Sequence, residues 1–211
     1  MTILTDVLAK AMAGLDQDKL NQLVKERLEN GGKPMEIVEK LQEGMTEVGR
    51  LFENGEYYLS ELIMAGEMMK ETMAVLEPFL AGEKTEYRGT IVIATVKDDI
   101  HDLGKDIVVM LLRGAGYNVI DLGVDVPSDR IVEAVKENKA PMLALSVLLT
   151  GCLDSMKDTV RAVKDSGLAA RVLIGGAIVD EKVKEYCGAD YASMFASDAV
   201  KVAEEIFGKA N

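Results

Sequence analysis

The sequence is poor in the residues that build common metal sites and disulfide bonds. Its 211 residues contain one histidine, two cysteines, four phenylalanines and no tryptophan. The cysteines, Cys152 and Cys187, lie far apart in the chain and form no Cys-x-x-Cys pair. A usual zinc or iron site takes three or four protein ligands, which one histidine and two separated cysteines do not supply. Two unpaired cysteines instead indicate a reducing cytoplasm.

Basic surfaces and long apolar runs are also missing. Acidic residues outnumber basic ones by 36 to 24, which gives a formal net charge of −12. Nucleic acids and anionic membranes select basic patches, so we expect neither as a partner. No apolar run reaches the ~20 residues of a membrane span, and the first residues lack the pattern of a signal peptide. The sequence therefore predicts a cytoplasmic protein.

Residues 1 to about 82 carry the periodicity of helices alone. Asp16 is a suitable N-cap for one helix, and Pro34 suits the first turn of a longer one. A further helix is predicted from about Leu59 to residues 80–82, because apolar side chains recur there at helical spacing. Four helices joined by short loops pack as an antiparallel bundle, so we expect an N-terminal four-helix bundle.

Residues 87–211 change to alternating strands and helices. Apolar runs rich in branched side chains recur at 91–96, 117–120, 142–147 and 171–174, with helical stretches between them. Strands that are apolar throughout indicate a parallel sheet covered on both faces. We therefore predict an α/β domain with an open, flavodoxin-like (Rossmann-like) sheet of five parallel strands. Ligands of such sheets bind beyond the carboxyl ends of the strands.

The only histidine follows the first of these strands. His101 lies two residues after Asp99 in the loop 99–104. One imidazole nitrogen can bind a metal while the other donates its proton to Asp99, which fixes the tautomer. A single protein ligand indicates that a macrocycle, as in haem or a corrinoid, fills the other coordination positions. The alternatives are a histidine with no ligand role and a divalent-metal site made of Asp98, Asp99, Asp102 and Asp106.

Two further loops are expected at the same edge of the sheet. Ser146 ends the third strand, with Leu148 and Thr150 after it, and Gly175-Gly176 ends the fourth. Strands 1, 3 and 4 are neighbours in the predicted order, so their loops line one cleft. Glycines let a backbone approach a bulky ligand, and the two hydroxyls can bond its polar atoms. Each feature taken alone also fits a plain strand end, helix cap or turn.

Together these residues resemble the signature of cobalamin-binding modules. Its three parts are Asp-x-His-x-x-Gly at 99–104, Ser-x-Leu at 146–148 and Gly-Gly at 175–176. Such modules occur in methionine synthase and in corrinoid proteins of methanol and methylamine methyltransferase systems. The helical half is similar too, since 44–49 and 52–59 look like the cap bundle of the methyl-transferring members. The resemblance covers nearly the whole chain, as a helical cap domain at 1–86 and a cobalamin-binding domain at 87–211.

The resemblance implies cobalamin bound base-off/His-on, with the dimethylbenzimidazole tail displaced from cobalt by His101. In that arrangement His101 is the metal ligand and Asp99 its hydrogen-bond partner, and these two carry the catalytic roles. The helical cap covers the methyl-bearing face, with Phe52 and Leu59 at the family's capping positions. The cofactor-binding residues that the resemblance implies are Asp99, Ile100, His101, Asp102, Leu103, Gly104, Ser146, Leu148, Thr150, Gly175, Gly176, Ala177, Phe195, Ala196, Phe52 and Leu59.

The sequence departs from the family pattern in two places. Family members often carry a hydroxyl residue beyond Ser-x-Leu that extends the Asp–His network, but the matching position here is Cys152. A thiol is a weak hydrogen-bond partner, so the network is either truncated or continued by Thr150 or Ser155. The stretch 190–198 is longer than its family counterpart, and we assign Phe195 and Ala196 within it to the flanks of the nucleotide tail.

The resemblance favours a methyl-carrier subunit that is not itself an enzyme. It implies a substrate-specific methyltransferase as methyl donor and a second methyltransferase with a folate, pterin or thiol acceptor. A reductive activator of the corrinoid is a further implied partner. The alternatives are the small subunit of a radical mutase, which generally lacks the helical cap, and a cobalamin sensor, which would carry a DNA-binding domain. The sequence does not name the methyl donor.

Overall fold

The first part of the chain is entirely helical. The computed structural model describes residues 4–80 and 87–208. Its first four helices are α1 (Val7–Ala13), α2 (Gln17–Glu29), α3 (Pro34–Glu53) and α4 (Leu59–Leu80). The carboxylates of Asp6 and Asp16 accept amide hydrogen bonds at the starts of α1 and α2, and Pro34 opens α3. The predicted four-helix bundle is confirmed, while residues 81 and 82 of its expected end lie outside the described residues.

Apolar side chains hold the bundle together. Leu8, Leu20, Leu41 and Leu62 are fully buried, one from each helix. Within α3, the buried side chains of Ile37, Leu41 and Met45 recur at helical spacing and form one apolar stripe. α4 is the longest of the four with 22 residues. No helix within the described ranges is long and apolar enough to cross a membrane.

The second part of the chain alternates strands with helices. The strands are β1 (Thr90–Thr95), β2 (Asn118–Asp121), β3 (Met142–Ser146), β4 (Arg171–Gly175) and β5 (Tyr191–Ser193). The helices are α5 (Leu103–Gly114), α6 (Ser128–Glu137), α7 (Leu153–Asp165), α8 (Glu181–Cys187) and α9 (Asp198–Phe207). A short 3-10 turn, Thr150–Cys152, precedes α7. The chain divides into two compact units: residues 1–86 with 114–116, and residues 87–113 with 117–211.

The five strands form one parallel sheet in the order β2-β1-β3-β4-β5. This is the open flavodoxin-like order, so the predicted fold is confirmed. The chain leaves β1 toward β2 on one side and returns to β3 on the other, which places the topological switch point between β1 and β3. Connections diverge at that point and leave a crevice beyond the carboxyl ends of the two strands.

The strand register brings four positions to one edge of the sheet. Thr95 pairs with Ser146, Ser146 with Gly175, and Gly175 with Ser193. These four residues are the last residues of β1, β3, β4 and β5, respectively. The loops that follow therefore leave the sheet side by side, at the edge where a ligand is expected.

Candidate functional site

A cavity of about 560 Å³ opens at this carboxyl edge. Its volume lies within the range of small-molecule sites, roughly 300–1,000 Å³. The loops after β1, β3, β4 and β5 and the first turns of α5 line it. Twelve of the predicted site residues are in the lining: Ile100, His101, Asp102, Leu103, Gly104, Ser146, Leu148, Gly175, Gly176, Ala177, Phe195 and Ala196.

The other four predicted residues are not part of this lining. Asp99 is fully buried and contacts His101. Thr150 is exposed and belongs to the 3-10 turn before α7. Phe52 and Leu59 belong to the helical unit, near the end of α3 and at the start of α4, and both are half-buried.

The cavity also has lining residues that the sequence did not single out. Ser193 and Met194 follow the same rule as the other loops, because they come at the carboxyl end of β5. That strand is short and lacks a long apolar run, so its end was hard to locate from the sequence. Lys105 and Val108 lie in the first turns of α5, next to Gly104 and one turn further on.

The imidazole of His101 is oriented by a carboxylate. Its Nδ1 lies 2.7 Å from Asp99 Oδ1, and the same oxygen accepts the backbone N–H of His101 at 3.0 Å. The hydroxyl of the buried Thr95 donates to the His101 carbonyl oxygen at 2.9 Å. Because Asp99 occupies Nδ1, the tautomer with the proton on Nδ1 is favoured, and Nε2 is the nitrogen left for a ligand. The His101 side chain is 45% exposed, so a ligand can reach Nε2.

The second oxygen of Asp99 binds the loop after β3. Asp99 Oδ2 accepts the backbone N–H groups of Leu148 at 2.7 Å and Leu149 at 3.1 Å. From the sequence, the network was expected either to be truncated at Cys152 or to continue through Thr150 or Ser155. The structure shows main-chain amides instead, and Cys152 is buried nearby with a pKa raised by burial and by the Asp99 carboxylate. The network therefore ends in the backbone.

These donors set the ionisation of Asp99. Burial on its own would raise the pKa of this carboxyl group, but the amides of Leu148, His101 and Leu149 and the His101 ring lower its pKa to about 2. Hydrogen bonds to a charged form favour that form. Asp99 is thus a carboxylate at neutral pH and directs negative charge at the imidazole.

Two glycines of the site have different reasons to be glycine. Gly176 has a φ of 141°, and a Cβ built on it would lie 1.8 Å from the carbonyl oxygen of Val147. The close approach of the β3 and β4 loops therefore excludes any side chain there. A Cβ built on Gly104 would meet no described atom within 4 Å. The fold does not need glycine at position 104, so the open space beside it is available to a ligand.

Asp106, one of the four aspartates around the loop, is engaged in an ion pair. The buried Lys105 Nζ lies 2.6 Å from Asp106 Oδ1 and 2.8 Å from Asp121 Oδ2. Burial alone would lower the pKa of Lys105, yet these two carboxylates raise it. Within the part of the chain that the structure describes, no group of three or more His, Cys, Asp or Glu side chains is arranged to hold a metal ion. The geometry gives no support to a site made of aspartates alone.

Comparisons with known proteins agree on one family. The B12 binding domain family matches residues 89–203, and a second B12 binding domain family matches residues 4–77. Dimethylamine corrinoid protein 2 of Methanosarcina acetivorans is 37% identical over 203 residues, which are 94% of each chain.

Two solved structures are similar over most of the chain. A cobalamin-binding protein from Desulfitobacterium hafniense is 40% identical with a TM-score of 0.78, over 94% of this chain and 96% of that one. The methanol:cobalamin methyltransferase complex of Methanosarcina barkeri contains a chain that is 29% identical with a TM-score of 0.88. That match covers 99% of this chain and 81% of the other.

The two glycines give a paired prediction for the protein without ligand. Gly176→Ala should lower the free energy of unfolding by about 3 kcal/mol or more, because a backbone oxygen and a positive φ both oppose the new Cβ. Gly104→Ala should leave stability unchanged or raise it by up to about 1 kcal/mol, since alanine favours the first turn of a helix. Urea unfolding of both variants measures this. An equal loss in both would contradict the assignment.

The pKa of Asp99 predicts how stability depends on pH. A folded pKa of about 2 lies below the unfolded value of roughly 3.9, so Asp99 stabilises the fold fully at neutral pH and progressively less as pH falls toward 2. Asp99→Asn should cost at least about 2 kcal/mol at pH 7, and the difference from wild type should shrink by about 1 kcal/mol at pH 3. Urea unfolding at the two pH values tests it. A difference that does not change with pH would show that the charge of Asp99 does not stabilise the fold.

Proposed function

This chain belongs to the family of B12-binding proteins, and we propose that it serves as a corrinoid methyl carrier. It takes a methyl group onto the cobalt of bound cobalamin from one methyltransferase and gives it to another. The observation that carries this proposal is the Asp99–His101 pair, placed beside an open cavity at the switch point of the sheet. The names of the relatives support it, since they include a dimethylamine corrinoid protein and a methanol:cobalamin methyltransferase complex.

The residues of the site fit a large, flat and mostly apolar cofactor. His101 offers one ring nitrogen that Asp99 does not occupy, Nε2, and Gly104 leaves open space beside it. Ile100 and Phe195 are 71% and 67% exposed although both are large and apolar, and both line the cavity. Exposed apolar side chains around a cavity mark a surface that a ligand or partner covers. A corrin ring with its amide side chains satisfies these features together.

The proposed binding mode is base-off/His-on, in which His101 Nε2 would bind the cobalt. The cavity between the loops after β3, β4 and β5 then holds the displaced nucleotide tail, beside Ser146, Gly175 and Phe195. Bound cobalamin supplies a cobalt centre that accepts a methyl group in its reduced state and releases it to an acceptor. The remaining proposed contacts are Asp99, Ile100, Asp102, Leu103, Gly104, Leu148, Thr150, Gly176, Ala177 and Ala196.

Asp99 has two tasks in this proposal. It holds the proton on His101 Nδ1, so that Nε2 presents its lone pair to the metal. Its other oxygen bonds the amides of Leu148 and Leu149, so the loop that carries His101 is held to the loop after β3. The buried carboxylate therefore fixes both the tautomer and the position of the imidazole.

We propose that the two parts of the chain divide the work. Residues 87–211 bind the cofactor, and the family's two capping positions, Phe52 and Leu59, belong to residues 1–86. The helical part argues for a carrier rather than a mutase subunit, since the second B12 binding domain family matches it at residues 4–77. Its proposed partners are a substrate-specific methyltransferase, a second methyltransferase with a folate, pterin or thiol acceptor, and a reductive activator, all in the cytoplasm.

A labelling experiment tests the carrier function. The protein is loaded with cobalamin, reduced, and mixed with ¹⁴C-labelled dimethylamine or methanol and a purified methyltransferase for that donor. We expect one label per bound cobalamin with the matching pair. His101→Ala should weaken cobalamin binding at least about 10- to 100-fold, the loss that follows removal of an outer partner of a metal ligand. Gly104→Ala should weaken it about tenfold by filling the open space, without loss of apoprotein stability.

Labelled methyl iodide serves as the control, because it methylates reduced cobalamin without a partner enzyme. If the bound cobalamin takes up label from methyl iodide but from neither methyltransferase, the chain serves a methyl donor other than dimethylamine or methanol. A cobalamin-loaded protein that takes up no methyl group from methyl iodide would contradict the carrier function itself.

A further inference from the structure

The loop that carries His101 is also bound to the loop after β2. Asp125 Oδ1 accepts the backbone N–H of Asp98 at 2.7 Å. The backbone N–H of Asp125 in turn donates to the carbonyl oxygen of Asp99 at 2.9 Å. One residue of the β2 loop thus bonds two successive residues just before His101.

Both partners of this exchange have unusual backbone conformations. Asp98 has a φ of 70° and Asp125 a φ of 53°, in the left-handed region that non-glycine residues rarely adopt. Aspartate and asparagine tolerate this region better than most residues. The turn at Asp98 sets the direction in which the chain reaches Asp99 and His101. A conformation that is disfavoured by itself persists only where its surroundings hold it. Within the loop, the Asp99 N–H donates to the Val96 carbonyl oxygen at 3.2 Å and closes the turn, and from the loop after β2 the Asp125 carboxylate bonds Asp98 itself.

The Asp125 side chain has no evident task in the core of the sheet. It is exposed, as is Asp98. The β2 loop is already attached to β1 through main-chain bonds from Thr95 N to Gly123 O and from Val126 N to Thr95 O. The Asp125 carboxylate adds one hydrogen bond, to the backbone N–H of Asp98 in the turn before His101. Its loss should therefore affect the His101 loop more than the fold.

Asp99 is consequently held from two sides. Its carboxylate bonds the amides of Leu148 and Leu149 in the loop after β3, and its carbonyl oxygen bonds Asp125 in the loop after β2. Two fixed points on one residue define its orientation better than one does. The His101 ring, which Asp99 orients, takes its position from both loops.

We propose that Asp125 is a positioning residue for the cofactor ligand: its carboxylate fixes the turn at Asp98 so that Asp99 holds His101 in the geometry that binds cobalt. This rests on the proposed function, in which His101 is the axial ligand. Outer partners of metal ligands commonly change affinity about 10- to 100-fold when they are removed.

Three substitutions at one position separate the possible causes. Asp125→Asn keeps a side-chain acceptor and tolerates the left-handed conformation, while removing the charge. Asp125→Gly keeps the conformation and removes the acceptor. Asp125→Ala removes both. Asp129→Ala is the matched control, because Asp129 is also exposed and negatively charged but its carboxylate bonds the amide of Arg130 in α6.

Two measurements test these variants: NMR of the protein without cofactor, and titration of the protein with cobalamin. In the apoprotein, ¹⁵N NMR of the imidazole reports the tautomer and its hydrogen bond to Asp99, and the signal is unambiguous because the chain has one histidine. In the second measurement, absorbance titration of the protein with cob(II)alamin gives the dissociation constant of the complex. We expect Asp125→Asn and Asp129→Ala to behave like wild type. Asp125→Gly and Asp125→Ala should weaken binding about tenfold and shift the ring signals toward a mixture of tautomers.

Several outcomes would overturn the inference. Wild-type ring signals and binding in Asp125→Gly would show that only the backbone conformation matters. Equal defects in Asp125→Asn and Asp125→Ala would show that the charge acts rather than the hydrogen bond. Failure of the proposed function looks different: wild type then binds cobalamin no better than His101→Ala, and the apoprotein NMR still decides whether Asp125 positions the ring.

Discussion

The carboxylate of Asp99 is the interaction on which the rest of the site depends. A buried carboxylate needs hydrogen-bond donors, and Asp99 has four: the His101 ring, its backbone N–H, and the N–H groups of Leu148 and Leu149. These bonds compensate for burial and join the loop after β1 to the loop after β3. The same carboxylate therefore holds the two loops together and orients the imidazole of His101.

The sheet prepares this arrangement before any ligand is present. Parallel strands in the order β2-β1-β3-β4-β5 place the switch point beside β1, and the register sets Thr95, Ser146, Gly175 and Ser193 in one row. Loops that start from one row are close enough to bond each other through main-chain groups. Gly176 permits the closest of these approaches, against the Val147 carbonyl oxygen. A rigid edge of this kind fits the proposed role of His101, because a ligand residue has to be held in a defined position.

Local sequence features predicted a large part of this structure. The helical period of residues 1–80 and the apolar runs after residue 87 gave both parts of the fold. The spacing of Asp99 and His101 gave their pairing, because residues two apart in a loop can bond each other directly. The ends of β1, β3 and β4 gave ten of the residues that line the cavity, and the family resemblance gave Phe195 and Ala196 after β5.

What the sequence did not predict depends on contacts between distant segments. The bonds from Asp99 to the amides of Leu148 and Leu149 involve main-chain groups, which leave no trace in residue identity. Gly176 was expected to admit a ligand, whereas the structure shows that the neighbouring loop already excludes a side chain there. The ion pair of Lys105 with Asp121 could not be predicted either, because it forms only once β2 lies beside β1.

The central claim is that His101 binds the cobalt of cobalamin in place of the benzimidazole. Electron paramagnetic resonance of the Co(II) form tests it most directly, in protein that carries ¹⁵N-labelled histidine and unlabelled cobalamin. Because the chain has one histidine, an axial-nitrogen splitting that changes from a triplet to a doublet identifies His101 as the ligand. We predict the doublet. A triplet that persists would show that the benzimidazole stays on cobalt and would contradict the assignment.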